Sequence, residues 1–426
     1  MFKVLVIAYY YPPLGLSGVQ RTLKFTKYFS QFNWQPTVIT TGKISYFAHD
    51  ESLLKEAENS NVKIIRTEAI TPGSLLFKKN TVKMPSSFIQ GLFTRISKTL
   101  FIPDNKLFWA KKASKIASNI LKNEKFDAIF VTIPPFSSAV AFTKLKAKFD
   151  IPIFVDYRDA WLTNQFRFYP TPIHRYLHKK LEYKVLRKTD RVIVVNRNIK
   201  EELLTNYPFL KFRDIDIISH GFDPQDFENL NPYPKENNKM VILHAGSFYE
   251  GITPKYLLKA FKLLTIERPD VASNIELHFI GQFKRENRKI VQNLKLEKFV
   301  KEIGYLTHLQ TLRRIISSDV LWLMLPRSAR MYNVTPGKIF EYFASGKPIF
   351  ANLPEGVAKS TITEYKASFV TESENLEDIK NILIKSHDLY IENKLPIPDD
   401  EFISRFDRSK LTEQLVKIFQ FYLKTE

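Results

Sequence analysis

Several features are absent from this sequence of 426 residues, and each absence excludes a class of structure or site. There is no cysteine, so the chain can form neither a disulfide nor a thiolate-bound metal site. No stretch approaches the roughly 18 consecutive apolar residues that a membrane-spanning helix needs. The strand-like start Phe2–Ala8 is soon broken by Pro12 and Pro13, and this run is too short for a signal peptide. We therefore expect a soluble, cytoplasmic protein.

Acidic residues are also scarce compared with basic ones. The chain has 44 Asp and Glu against 64 Lys and Arg, which gives a formal net charge of +20. This excess favours a polyanionic partner, namely nucleic acid, an anionic membrane surface or a phosphorylated substrate. The alternative explanation of the charge is a solvated, lysine-rich surface with no such partner. The hydrophobic content of 44% indicates a globular protein, and the length is sufficient for two α/β domains.

The most informative stretch lies between Val320 and Phe350. Val320–Leu325 is a continuous apolar run, which is typical of a strand buried on both faces. Thr335 can cap a helix whose first position is Pro336. Gly346 and Pro348 can then end that helix before the next strand. The pattern predicts a strand, a loop, a short helix and a strand, with the helix N-terminus at the carboxyl edge of a parallel sheet.

Two side chains on this predicted helix have the chemistry of a nucleotide-sugar site. Free backbone N–H groups at the helix N-terminus, together with the Lys338 ammonium in the first turn, can bind a phosphate. Glu341 lies further along the same helix, where its carboxylate can accept hydrogen bonds from sugar hydroxyls. A solvated helix face is the alternative for Glu341.

The segment PGKIFEYFASGKPI, residues 336–349, resembles the donor-binding motif of retaining GT-B glycosyltransferases of family four, especially bacterial members acting in surface polysaccharide assembly. The resemblance implies that Glu341 binds the nucleotide ribose. The family motif has two glutamates separated by seven residues, and Glu341 matches the second. The first, thought to contact the transferred sugar, is replaced here by Asn333, which could act only as a neutral group. The implied fold is α/β, with two doubly wound Rossmann-like domains facing a cleft.

The resemblance also implies a donor site built from several loops of the C-terminal half. The family places an Arg and a Lys around the loop after Met240–Ala245, but here Gly246 is followed by Ser247 and the nearest cation is Lys255. Lys255 and Lys338 would then share the neutralisation of the diphosphate. The implied donor-binding residues are Gly18, Gly246, Ser247, Lys255, Tyr305, Leu306, Asn333, Thr335, Pro336, Gly337, Lys338 and Glu341, with Tyr305 and Leu306 at the nucleobase.

In the N-terminal half, a glycine-bearing turn follows the first strand and precedes a helix from about Val19. Gly15 and Gly18 lack the G-x-G-x-x-G spacing of a dinucleotide site, and simple turn glycines are the alternative. The resemblance places this turn beside the donor diphosphate and the acceptor, with Gly15 and Arg21 on the acceptor side.

The segment DYRDAW, residues 156–161, ends a predicted strand with a cluster of charge. It resembles a family run that faces the interdomain cleft, which implies acceptor-side roles for Asp156 and Arg158. An internal Arg–Asp pair that only fixes the loop is the alternative. The family requires no metal, no cofactor and no protein nucleophile. If the reaction instead inverts the anomeric configuration, Asp159 or His220 is the first candidate for the catalytic base.

Basic and bulky apolar residues alternate between Gly73 and Lys115. Phe88–Leu100 has apolar positions at helical spacing with basic residues among them, as in a helix that lies on an anionic membrane. A helix packing on its own domain is the alternative. The predicted membrane residues are Lys78, Lys79, Phe88, Phe93, Arg95 and Lys98, which would place the enzyme peripherally at the inner face of the plasma membrane.

These observations predict a domain organisation and a function. We expect an acceptor-side domain over 1–228, a nucleotide-sugar-binding domain over 239–400 and a C-terminal helix over 401–426 that crosses back to the first domain. The predicted reaction is retaining hexosyl transfer from a nucleotide sugar to a glycan or polyprenyl-linked acceptor, with no metal and no cofactor. The alternatives are a nucleotide-sugar epimerase on the same fold and a basic membrane- or nucleic-acid-binding protein. No nucleic-acid-binding module is recognisable, so we expect no nucleic acid partner.

Overall fold

The computed structural model describes residues 1–15, 17–42, 44, 49–67, 95–164, 168–248 and 251–424. The chain divides into two compact units. The first unit comprises Met1–His220 with Arg408–Glu426, and the second comprises Gly221–Asp407.

The first unit is built on a seven-stranded parallel sheet in the order β3-β2-β1-β4-β5-β6-β7. Its strands are β1 (Phe2–Ile7), β2 (Trp34–Thr41), β3 (Lys63–Thr67), β4 (Ala128–Ile133), β5 (Ile153–Tyr157), β6 (Arg191–Val194) and β7 (Ile215–Ile217). Its helices include α1 (Ser17–Phe29), α2 (Glu51–Asn59), α3 (Leu107–Asn123), α4 (Phe136–Phe142), α5 (Pro172–Leu186) and α6 (Arg197–Asn206). The strands are apolar on both faces because helices cover both sides of the sheet.

The second unit repeats the arrangement with a six-stranded parallel sheet in the order β10-β9-β8-β11-β12-β13. Its strands are β8 (Met240–Ala245), β9 (Ile275–Ile280), β10 (Val300–Gly304), β11 (Val320–Met324), β12 (Ile349–Asn352) and β13 (Ser368–Thr371). Its helices include α7 (Lys255–Glu267), α8 (Pro269–Ser273), α9 (Arg285–Leu294), α10 (His308–Ile316), α11 (Lys338–Ala344), α12 (Val357–Glu364), α13 (Leu376–Ile391) and α14 (Asp400–Ser404). Alternate residues of β11 enter two apolar clusters, one on each face of the sheet.

Each sheet has one position where the strand order reverses. In the first unit, β1 pairs with β2 on one side and with β4 on the other. In the second unit, β8 pairs with β9 and β11 in the same way. Ligands of open α/β sheets bind outside the carboxyl ends of the strands at such a switch point. The switch points therefore define where each unit can hold a ligand.

The C-terminal region differs from the single helix predicted over 401–426. The chain instead forms α14 and then α15 (Arg408–Lys424). The break between them is held by a hydrogen bond in which the Phe222 N–H donates to the Phe406 carbonyl, at 3.0 Å. Helix α15 belongs to the first unit, where the Phe419 ring packs against Phe154 and Trp34, with centroids 4.4 and 5.3 Å apart. None of the helices in the described ranges is both long and apolar enough to cross a membrane.

Candidate functional site

The helix that the sequence singled out, α11, follows the switch strand β11, but it begins later than predicted. The Ile339 N–H donates to the Pro336 carbonyl at 3.1 Å, and the Phe340 N–H donates to the Gly337 carbonyl at 3.3 Å. Both bonds span three residues, so the first turn has 3₁₀ character and the α-helix starts at Lys338. The predicted cap at Thr335 and first helical position at Pro336 are therefore wrong by two residues.

Buried side chains fix α11 against the sheet. Ile339, Phe340, Tyr342 and Phe343 are all buried. The Tyr342 hydroxyl accepts a hydrogen bond from the Ala245 N–H at 2.9 Å, which ties the helix to the end of β8. Since residues three apart lie on the same face of a helix, this docking places Lys338 and Glu341 together on the less buried side.

Lys338 contacts a histidine instead of a carboxylate. Its ammonium lies 3.3 Å from Nε2 of His244, and His244 Nδ1 lies 3.1 Å from the Trp322 carbonyl. Burial, followed by the charge of Lys338, lowers the pKa of His244 well below its usual value. The imidazole is thus neutral, with Nδ1–H donating to the carbonyl and Nε2 accepting from Lys338. This assignment follows because a neutral imidazole has one donor and one acceptor.

The Lys338 ammonium is held in a partly desolvated position. Burial lowers its pKa to about 8, and the more distant Glu341 carboxylate opposes this shift. Among the residues that the structure describes, none offers a carboxylate within ion-pair distance of Lys338. An ammonium has three N–H donors, so two remain for a ligand once His244 has accepted one.

The loop after β8 approaches this ammonium closely, and glycine is what permits the approach. Gly246 has a φ of +151°, and a Cβ atom at this position would collide with Nζ of Lys338. Gly281, with a φ of +103°, lies against the backbone of Gly246 and Ser247, where a Cβ would come within 2.7 Å of the Gly246 carbonyl carbon. The Ser247 hydroxyl accepts a hydrogen bond from the Gln282 N–H at 3.1 Å. The Gly246–Ser247 loop is therefore fixed beside Lys338.

Glu341 also has a defined partner. Its Oε1 lies 2.9 Å from Nε2 of His308, and both side chains are partly buried. His308 is the first residue of α10, directly after Thr307, whose hydroxyl caps that helix. The contact restricts the Glu341 carboxylate to one orientation. The Lys338 cation and the oriented Glu341 carboxylate thus lie on one helix, at the switch point of the second sheet. Their contacts are His244, Gly246 and His308.

The remaining residues predicted for the donor site lie in neighbouring loops of the second unit. Asn333 and Thr335 are partly buried in the loop before α11, Tyr305 is exposed and Leu306 packs against the apolar cluster on that face of the sheet. Lys255 starts α7, with its ammonium 5.2 Å from the Tyr256 ring centroid. The sharing of the diphosphate charge between Lys255 and Lys338 stays a prediction.

In the first unit, Arg21 and Asp156 form a buried ion pair. Arg21 is 1% and Asp156 0% exposed, with Nη2 of Arg21 2.7 Å from Oδ1 of Asp156. The Arg21 guanidinium also donates to the carbonyls of Ser219 and Ile218, at 2.7 and 3.0 Å. Asp156 accepts a further bond from Thr132 at 3.1 Å. Arg21, expected on the acceptor side, is thus enclosed and holds the turn before His220. Asp156 thus belongs to an internal Arg–Asp pair, but its partner is Arg21 of α1 and not Arg158 of the same segment.

Arg158 links the first turn of α1 to the loop after β4. It donates to the carbonyls of Gly18 and Pro134, the latter at 2.5 Å. Burial lowers the pKa of its guanidinium. Gly18 lies in the first turn of α1 with an ordinary φ, so the prediction that it belongs to a flexible turn before the helix is wrong. Gly15 is buried in the segment between β1 and α1.

The two candidate bases occupy different environments. Burial, reinforced by Arg21, Arg408 and Arg158, lowers the pKa of His220 well below its usual value, although its hydrogen bond to the Arg158 backbone opposes this. The His220 imidazole is therefore neutral, and its protonated form is disfavoured. Burial raises the pKa of Asp159, with Arg158 opposing.

Most of the predicted membrane segment lies outside the described residues, including Lys78, Lys79, Phe88 and Phe93. Residues 95–100 are described and helical. Within them, the Arg95 guanidinium lies over the Phe168 ring, 5.4 Å from its centroid.

Two family models match this chain in consecutive segments. Glycosyltransferase Family 4 matches residues 63–226, and Glycosyl transferases group 1 matches residues 225–393. Together they cover residues 63–393. The chain belongs to the family-four-like GT-B glycosyltransferases.

Solved structures share the fold of this glycosyltransferase at low sequence identity. A sucrose-phosphate synthase from Thermosynechococcus elongatus is 13% identical with a TM-score of 0.67, covering 100% of both chains. WaaG, a glycosyltransferase involved in lipopolysaccharide biosynthesis, is 13% identical with a TM-score of 0.63, covering 98% of this chain and 99% of its own. A UDP-GlcNAc 2-epimerase from Neisseria meningitidis, bound to UDP-GlcNAc, is 13% identical with a TM-score of 0.53. The match covers 98% of this chain and 100% of the epimerase chain. No curated protein matches significantly in sequence.

Sequence reasoning missed two histidines of the glycosyltransferase's candidate donor site. His244 is the one titratable residue in the otherwise apolar strand Met240–Ala245, and that polar interruption next to Gly246 was a usable signal. His308 follows a helix cap at the end of β10, also a carboxyl-edge position. Their partners Lys338 and Glu341 are 94 and 33 residues away, so the sequence alone could not have paired them.

Proposed function

We propose that this glycosyltransferase transfers a hexose from a nucleoside-diphosphate sugar to a hydroxyl of a glycan, with retention of anomeric configuration, in cell-surface polysaccharide synthesis. The observation that carries the proposal is the partly buried Lys338 ammonium at the switch point. It contacts the neutral His244 and has no carboxylate partner among the described residues. A cation held in this way favours an anionic ligand, because a diphosphate supplies the charge that the protein does not.

The diphosphate would lie beside the Gly246–Ser247 loop. The two N–H donors that Lys338 does not give to His244 would donate to phosphate oxygens, and the absence of a side chain at Gly246 would let the ligand approach the backbone. Asn333, Thr335, Pro336 and the Gly337 backbone would complete this side of the site. We propose that the ammonium meets the electrostatic requirement without a metal ion and that the enzyme needs no cofactor.

Glu341 would bind the ribose of the nucleotide. Its carboxylate, oriented by His308 at 2.9 Å, can accept hydrogen bonds from both ribose hydroxyls. Such bonds to a charged acceptor are stronger than neutral ones. Tyr305, exposed at the end of β10, would lie at the nucleobase with Leu306.

The reaction breaks the bond between the anomeric carbon and the β-phosphate oxygen and forms a bond from that carbon to the acceptor oxygen. The products are the glycoside and the nucleoside diphosphate. Negative charge gathers on the leaving diphosphate, where Lys338 stabilises it. In the retaining reaction, a departing phosphate oxygen accepts the proton of the acceptor hydroxyl, so the protein need not supply a nucleophile. In an inverting reaction a base is required. The raised pKa of Asp159 makes its carboxylate the better proton acceptor, whereas the lowered pKa of His220 disfavours its protonated form.

We propose a lipid-linked glycan as the acceptor, held at the cytoplasmic face of the plasma membrane. This is supported by the fold shared with WaaG, which is involved in lipopolysaccharide biosynthesis, and by the formal charge of +20. The basic and aromatic residues between Lys78 and Lys98 would contribute to membrane contact.

A nucleotide-sugar epimerase is the second candidate, because an epimerase bound to UDP-GlcNAc shares the fold. A thermal-shift screen of nucleoside diphosphates first identifies the base, since a ligand at 100 times its Kd stabilises the folded state by about 2.7 kcal/mol. The matching nucleotide sugars are then incubated with and without a lipid-linked glycan. We expect nucleoside diphosphate and glycosylated acceptor to form together and only when acceptor is present. A new nucleotide sugar from donor alone would identify an epimerase.

A further inference from the structure

The amino edge of the second sheet carries a cavity that the donor site does not use. It lies where β8, β9 and β10 begin, and residues 233–237 and the end of α10 enclose it. The donor site lies at the carboxyl edge, where Gly246 follows β8. The six residues of β8 separate the two edges by about 20 Å. The cavity is therefore a separate place in the second unit, and the proposed reaction does not account for it.

The two carboxylates that line the cavity are already held by donors of the protein. The Lys301 ammonium lies 2.8 Å from Glu236 and 3.1 Å from Glu276. Glu276 also accepts hydrogen bonds from Asn237 at 2.9 Å and from His278 at 2.8 Å. Burial would raise the pKa of Glu276, but these donors together lower it to about 2. Both carboxylates are thus committed to the fold, and the ligand of this cavity need not be a cation.

His278, which lines the same cavity, has an unused hydrogen-bond acceptor. Burial, together with the charges of Lys301 and Arg314, lowers the pKa of His278, while its bond to Glu276 opposes the shift. The imidazole is therefore neutral. Its Nε2 carries the proton, because this nitrogen faces a carboxylate, which can only accept. Nδ1 is then the acceptor, and no residue in the described part of the chain donates to it. A ligand with an O–H group can make that hydrogen bond.

Among the three cations that line the cavity, Arg314 alone lacks a counter-ion within the described chain. Lys301 contacts both glutamates, and Lys235 lies 2.8 Å from Asp319. The Arg314 guanidinium lies over the Tyr233 ring, 4.4 Å from its centroid, and makes neither a hydrogen bond nor an ion pair with a described residue. Its five N–H donors have the planar fork arrangement that matches the oxygens of a phosphate. The cavity thus offers an oriented cation for an anion.

We propose that the cavity between Tyr233, His278 and Arg314 binds free phosphate in its monohydrogen form. Arg314 would donate to two unprotonated oxygens, and the protonated oxygen would donate to Nδ1 of His278. The cavity volume of about 40 Å³ corresponds to roughly three waters, which is room for one tetrahedral oxyanion and too little for a sugar ring. Sulfate has the same shape, but it carries no proton for His278, so its oxygen would face the Nδ1 lone pair. The site does not depend on the proposed function.

The test is calorimetric titration of the full chain at about pH 7.5, where inorganic phosphate keeps one proton and a phosphate monoester has lost its own. We expect inorganic phosphate to bind, and sulfate and glucose 6-phosphate to bind about tenfold or more weakly. Arg314→Met should weaken phosphate binding about tenfold or more. His278→Leu should bring the affinities for phosphate and sulfate together. The matched control is Arg288→Met, which removes an arginine that is paired with Glu302 and should change the affinity by no more than about twofold.

Lys338 is another cation that can bind phosphate, so the titration is repeated with Lys338→Met, in which phosphate binding should persist. Binding that depends on Lys338 but not on Arg314 would overturn the proposal. So would the absence of phosphate binding by the wild type, an equal affinity for sulfate, or a tighter binding of glucose 6-phosphate. Nucleoside diphosphate binding tests the proposed function separately. Arg314→Met should leave it within about twofold of the wild type, because Arg314 lies at the opposite edge of the sheet.

Discussion

The switch points of the two sheets hold cations in opposite ways. In the first unit, the Arg21 guanidinium is paired with the Asp156 carboxylate. Arg21 and Arg158 also donate hydrogen bonds to backbone carbonyls of the neighbouring loops. In the second unit, the Lys338 ammonium contacts a neutral imidazole and has no carboxylate partner in the described chain. Two sheets of similar topology thus carry different electrostatics at the same topological position.

The comparison shows how to distinguish a structural cation from a ligand-binding one. A buried charge must be neutralised. Where the protein supplies the counter-charge, as Asp156 does, the cation stabilises the fold. Where the protein supplies only a hydrogen-bond acceptor, as His244 does, the pKa of the cation falls and a bound anion can complete the neutralisation. Mutation of the Arg21–Asp156 pair should therefore lower the stability of the protein, whereas mutation of Lys338 should lower activity and leave stability equal or higher.

The largest expected effect is on the stability of the first unit. Asp156→Asn leaves Arg21 charged and buried without its counter-ion, which costs about 3–5 kcal/mol of unfolding free energy. Denaturant unfolding measures this loss. The control is Glu201→Gln, which removes the exposed pair between Arg197 and Glu201 and should cost about 0.5 kcal/mol or less. If Asp156→Asn lowered the unfolding free energy no more than the control does, Arg21 would not be a structural cation, and the contrast with Lys338 would be wrong.

The next effect is on catalysis in the second unit. Lys338→Met keeps the length of the side chain but removes the charge that would stabilise the leaving diphosphate, so kcat/KM should fall about 10²–10³-fold. The unfolding free energy should stay equal or rise, because the variant no longer buries an ammonium that lacks a carboxylate partner. Lys347→Met, in the same stretch but at the other end of α11, serves as the control. Full activity of Lys338→Met would show that Lys338 takes no part in the reaction.

A smaller effect is expected for Glu341→Gln. The amide is nearly isosteric but loses the negative charge that accepts hydrogen bonds from ribose hydroxyls, so nucleotide affinity should fall about tenfold. His308→Ala should give a smaller loss of the same kind, since it frees the carboxylate without removing it. Calorimetric titration of nucleoside diphosphate measures both. Equal affinity in wild type and Glu341→Gln would exclude ribose binding by this carboxylate.

Much of the fold was predictable because its signals are local. The buried strand Val320–Met324, the short helix at Lys338–Ala344 and the strand Ile349–Asn352 follow from an apolar run, a proline–glycine start and a glycine–proline stop. The exact helix start was not predictable. It depends on a 3₁₀ turn at Pro336 and Gly337, which competes with an α-helical turn by a small energy difference.

The site was predictable only in part, because its decisive contacts are long-range. Lys338 and Glu341 were identified from a local pattern. Arg21 and Asp156 are 135 residues apart in the sequence, and no periodic pattern predicts that they pair. For the same reason, Arg21 was placed on the acceptor side although the fold encloses it. The exposure of Ile173 and Tyr176 on α5 was equally hidden, since apolar residues on a helix predict burial until the packing partner is known.

The central claim, that Lys338 binds the diphosphate, is tested most directly by titrating the preferred nucleoside diphosphate as a function of pH. The folded-state pKa of Lys338 is about 8, so the ammonium is charged below this pH and progressively neutral above it. Affinity of the wild type should fall as the pH rises through 8. Lys338→Arg, which stays charged throughout, should show no such fall. Parallel pH profiles for the two proteins would contradict the assignment.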